Sequence, residues 1–124
     1  MSALTAFNAQ LLNFFEELCD TFPEERDIKM ATEAVKGAKK INPRLVLDLF
    51  MDHVYNDLAP AIESRDVLEI RKVAQHKLST QFNEMISALA IFDKYWDTMG
   101  TANQEIIWQY LKVLCILAEK ARAS

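Results

Sequence analysis

The stretch Gln104–Lys120, QEIIWQYLKVLCILAEK, constrains the fold more than any other part of the chain. Its apolar residues (Ile106, Ile107, Trp108, Tyr110, Leu111, Val113, Leu114, Cys115, Ile116, Leu117 and Ala118) point in nearly every direction around a helix that turns about 100° per residue. The polar seam of Glu105, Gln109, Lys112 and then Glu119 or Lys120 is a single narrow edge. A helix of that kind asks to be surrounded, so the sequence predicts a hydrophobic C-terminal helix as a central post.

The rest of the chain supplies what should surround it. With two glycines and three prolines in 124 residues there is little material for the tight turns of a β protein. The expectation is an all-α, compact bundle of about five to six helices in a single domain, residues 1–124. A first helix runs from about Ala3 to Asp20, with Leu4, Phe7, Leu11, Phe14, Phe15 and Leu18 on one face. Pro23 reads as the first turn of a second, to Lys40, with Glu24, Glu25 and Asp27 at the positive end of its dipole. Asn42-Pro43 signals a third, to Leu58, which Pro60 interrupts. Asp66, with Glu69 three residues on, caps a fourth with Ile70, Ala74 and Leu78 inside and Arg71, Lys72, Gln75 and Lys77 outside. Ser79 or Thr80 caps a fifth, faced by Phe82, Met85, Ile86, Leu89, Phe92 and Trp96. Gly100 is its left-handed stop, and Thr101 with Gln104 forms a capping box for the last.

Charge excludes some functions on average. The net charge of -4 repels nucleic acid and anionic membranes, yet it is unevenly spread: acids crowd residues 16–27, and bases crowd 29–44. Lys36, Lys39, Lys40 and Arg44 are candidate anion contacts, and the alternative function they offer is that of a weak nucleic-acid-associated factor, although no aromatic lies between Phe22 and Phe50 to stack on a base. Solvated helix faces that attract each other are the simpler account of that run. No basic leader followed by an apolar run, and no uncharged span of about 18 residues, supports secretion or membrane crossing. A soluble, intracellular protein with reduced, buried Cys19 and Cys115 is expected, and no membrane partner.

Chemistry finds little purchase. Nucleotide loops, a nucleophile elbow and the H-E-x-x-H pattern are missing, which predicts no catalytic residues, no metal and no cofactor. His53 stands four residues before Asp57, a spacing that suits a metal or an acid–base pair on a regular helix. A zinc site wants a third ligand, and His76 is on another helix, so a plain surface pair is the simpler reading. What remains is surplus apolar surface. Met51, Tyr55, Trp108 and Tyr110 are candidate contacts for a protein partner or for self-association.

The segments FNAQLLNFFEELCDTFPEERDI, INPRLVLDLF and NQEIIWQYLKVLCILAEK resemble small helical proteins of large nucleocytoplasmic DNA viruses, particularly those infecting algae. F-N-x-x-L, F-P-E-E and I-W-x-Y-L are the most specific parts. That resemblance implies origin, with action in the virion or in the cytoplasm or nucleus of the infected host cell, and carries no catalytic residues. A hydrophobic helix within six or seven others is also similar to apoptosis regulators of the Bcl-2 type, but their N-W-G-R segment is missing here.

Overall fold

A computed structural model describes residues 2–80 and 84–123, except for the side chains of residues 84, 85 and 87. All regular structure among them is helical: α1 (Ala3–Thr21), α2 (Arg26–Ile41), α3 (Pro43–Phe50), α4 (Asn56–Ser64), α5 (Val67–Thr80), α6 (Glu84–Lys94) and α7 (Thr101–Ala123). A π-helical segment, Met51–Tyr55, joins α3 to α4, so the two form one rod. α7 lies mainly against α1; α2 and α6 cover one flank of that pair and the α3–α4 rod the other, with α5 bridging α4 and α6.

Local signals explain most of the boundaries. Ser2 accepts from the Thr5 amide at 3.1 Å and starts α1. Asn42 accepts from the Arg44 amide at 3.1 Å with Pro43 at the first helical position, and Asp66 accepts from the Glu69 amide at 3.1 Å. The core is a run of aromatic and aliphatic side chains: Phe7, Phe15, Phe50, Phe92, Leu58 and Leu114 are almost completely enclosed. Phe7 meets Phe50 edge-on at 5.1 Å, and Phe92, Trp96 and Trp108 form a cluster with centroids 4.7 to 5.9 Å apart.

Several expectations need correction. Helix α2 begins at Arg26, so Pro23 belongs to the preceding turn rather than to the helix. Pro60 does not end the rod; the helix runs through it to Ser64, just after the π turn has shifted the backbone pairing by one residue. Gly100 is not left-handed: Arg65 alone among the described non-glycine residues has positive φ, at 56°. Its amide bonds Ile62 O and that of Asp66 bonds Ala61 O, closing α4 in a Schellman arrangement without glycine. Ser79 and Thr80 finish α5, their hydroxyls donating to His76 O, instead of opening the next helix. Phe82 lies outside the described residues, as does the side chain of Met85. Gln104 makes no capping box; its amide donates to Trp96 O at 2.7 Å.

α7 itself is not wrapped on all sides. Ile107, Leu111, Leu114, Ala118 and Ala121 are buried, while Ile106, Val113 and Ile116 remain 45, 39 and 43% exposed. The all-α bundle forms, and its C-terminal helix packs on α1 while presenting an apolar outer side.

Candidate functional site

Between α4 and α7 runs an open groove of about 640 Å³, within the range of ligand and peptide clefts. Ile62 and Trp108 form its floor, Ala59 and Pro60 one bank, and Cys115 and Ile116 the other. The groove exists because Ala59 and Pro60 put short side chains opposite α7, and because the outer stripe of α7 finds no helix to cover it.

Polar clamps close both ends. At one, Arg65 donates twice to Glu105, at 2.6 and 3.1 Å, with its guanidinium carbon 5.8 Å from the Trp108 ring. The Arg65 bond holds the Glu105 carboxyl below its usual range. Arginine in a left-handed backbone is strained relative to glycine, and here the side chain does what glycine could not: it ties the end of α4 to the first turn of α7. At the other end the Tyr55 hydroxyl donates to Glu119 at 2.5 Å, and Arg122 lies 5.5 Å from the Tyr55 ring. That hydrogen bond raises the Tyr55 phenol above its ordinary value, with burial and the charge of Glu119 adding to it. Cys115, half-buried in the wall, is pushed up to about 12 by burial and by Glu119, so it is a packing residue rather than a thiolate nucleophile. Lys112 and Glu63 stand on opposite banks as charges with no partner among the described residues.

The four proposed contact residues separate. Tyr55 and Trp108 line the groove, although Trp108 is largely buried. Met51 is in the core, not at a surface, because it shares one helical stripe with Leu47, Val54 and Leu58. Tyr110 packs on Phe14 at 5.2 Å beside a small cleft between α1 and α7, its phenol raised by burial and then by Glu17. The anion candidates divide too. Lys36 pairs with Glu33 at 3.5 Å, and Arg44 reaches Ala121 O at 3.5 Å, whereas Lys39 and Lys40 have no partner among the described residues.

His53 and Asp57 do not form a pair. The π turn between them breaks the four-residue register, and Asp57 bonds Lys77 at 2.5 Å instead. Lys77 is only 5% exposed, against the expectation of a surface residue, because positions 70, 74 and 77 share one helical stripe with Ile70 and Ala74. No group of three metal-ligating side chains converges among the described residues. Both thiols are half-buried and free; Cys19 exchanges a hydrogen bond with Thr32 at 3.2 Å. Among the described residues no helix is long and apolar enough to cross a membrane.

Arg65, Glu105 and Glu119 were not legible as site residues. Only Arg65 left a trace in the sequence: between Pro60 and Asp66 no glycine is present to end α4, so some other residue had to take the left-handed position. Compared with family models, curated proteins and solved structures, the chain matches none.

Proposed function

We propose that this protein is non-enzymatic and acts by protein–protein contact, holding an amphipathic helix of a partner in the α4–α7 groove. One observation carries the reading: an apolar floor of Ile62 and Trp108, with Ile116 on one bank, is flanked by unpartnered charges of opposite sign, Lys112 and Glu63, on facing banks. Such a groove suits a helix with apolar anchors at i, i+3 or i+4 and i+7, an acid turned to Lys112 and a base turned to Glu63. The bidentate Arg65–Glu105 bridge and the Tyr55–Glu119 bond hold the banks before binding, which lowers the ordering cost. In the setting that the viral resemblance implies, the partner is a component of the virion or of the infected cell.

Cross-linking in cells that express the protein, followed by identification of the linked peptides, tests the reading. Peptides of a partner should join the Lys112 region in the wild type, vanish with Ile116→Glu, and persist with Met30→Glu on the far surface. Equal recovery from all three proteins contradicts it. Light scattering distinguishes self-association, since a second copy as occupant makes the chain dimeric without any other protein.

A further inference from the structure

The fold gathers cations that the sequence keeps apart. Arg44, in the first turn of α3, reaches Ala121 O, so the end of α7 with Lys120 and Arg122 lies beside the α2–α3 corner with Lys36, Lys39 and Lys40. Asn8 donates to Pro43 O at 3.1 Å and brings α1 to the same corner, and residues 2–15 carry no charge. Of the carboxylates on these turns, Glu33 pairs with Lys36, and Glu119 keeps its charge but is turned to the Tyr55 hydroxyl, so Asp48 and Glu119 stand against Lys39, Lys40, Arg44, Lys120 and Arg122. The acids of residues 16–27 belong to the other end of the α1–α2 hairpin. A chain of net charge -4 is therefore a dipole, and its average charge does not describe this end.

Bases at a helix C-terminus are ordinary and suggest no ligand by themselves. The second feature is apolar. Ile41, the last residue of α2, is 86% exposed, and Leu45 just beyond it is 39% exposed. An aliphatic tip ringed by cations fits a surface that offers anionic groups above an apolar phase. Single-stranded nucleic acid would want rings to stack on, and the corner from Lys36 to Leu45 has none.

We propose that the α2–α3 corner, with the end of α7, is a peripheral docking surface for anionic lipid, with Ile41 entering the acyl boundary and Lys39, Lys40, Arg44 and Lys120 meeting the headgroup phosphates. Attachment of this kind needs no spanning helix and requires both contributions, because neither one side chain nor a few charges is sufficient alone.

Sedimentation with vesicles tests it, comparing phosphatidylcholine with a three-to-one mixture of phosphatidylcholine and phosphatidylserine. The full chain should bind the mixed vesicles only, and lose that binding in high salt. Ile41→Asp should weaken it about tenfold or more, Lys39→Glu with Lys40→Glu should abolish it, and Met30→Asp should leave it unchanged. Ile41 and Met30 are both exposed, so neither change threatens folding. Equal binding to the two vesicle types, no binding to either, or full binding by Ile41→Asp overturns the proposal. Capture of a single-stranded oligonucleotide with vesicles ignored overturns it as well.

Discussion

Both sides of α7 carry aliphatic side chains, but in opposite surroundings. Leu114, Ala118 and Ala121 are fully enclosed by neighbouring helices, while Val113 and Ile116, their neighbours in the chain, are well exposed. The inner side follows the general rule that apolar surface leaves water when there is something to pack on. The outer side shows that all-round apolarity does not make a central helix in a chain of this size. With 124 residues there are too few helices to enclose α7, α1 and the α3–α4 rod together.

The contrast can be broken by mutation, and the largest effect should come from the inner side. Leu114→Ala removes a fully enclosed side chain and should cost about 3 to 5 kcal/mol, whereas Val113→Ala one residue earlier should stay within about 0.5 kcal/mol. Chemical denaturation of both variants checks this, and equal losses would mean that the outer side is packed after all. Next comes the Asp57–Lys77 pair. Asp57→Ala leaves a buried ammonium without its partner and should cost about 2 kcal/mol, less than for a fully buried pair because Asp57 is half in water. Adding Lys77→Met should return most of that loss.

How far these features can be read in the sequence depends on distance along the chain. The helices and three of their caps follow from residues within a few positions of each other: Ser2, Asn42 and Asp66 each accept from an amide two or three residues on. What joins α4 to α7 does not. Tyr55 to Glu119 spans 64 residues and Arg65 to Glu105 spans 40, and neither pair has a local pattern. The π turn is a further obstacle, since it separates Asp57 from His53 in a segment whose sequence reads as one regular helix. The charge of Lys77 points to the surface, whereas its position in the Ile70–Ala74 stripe puts it inside.

Smaller effects sharpen the comparison. Ile116→Glu should leave stability within about 0.5 kcal/mol and yet abolish partner binding, the reverse of Leu114→Ala. Arg65→Gly suits the left-handed backbone and should keep the melting temperature while loosening the groove, seen as faster amide exchange in the first turn of α7. A pH effect belongs to the opposite flank, where Tyr95 donates to Glu25 and stacks on Phe22 at 4.5 Å. That bond, with burial and the charge of Glu25, holds the Tyr95 phenol up to about 12, from an ordinary value near 10. A raised folded value means that the contribution is whole below about pH 10 and is lost as the pH rises toward 12. All three tyrosines are raised, and ultraviolet titration should show Tyr95 ionising last, a step that Tyr95→Phe should remove.

Lysine acylation compares the outer side of α7 in place with the same side in isolation, and tests the docking groove most directly. In cells that express the protein, Lys112 should be modified several-fold less than in dilute purified protein, while Lys29 and Lys72, both exposed and far from the groove, should be modified equally in the two. Equal modification of Lys112 in the two settings would contradict a partner seated between α4 and α7.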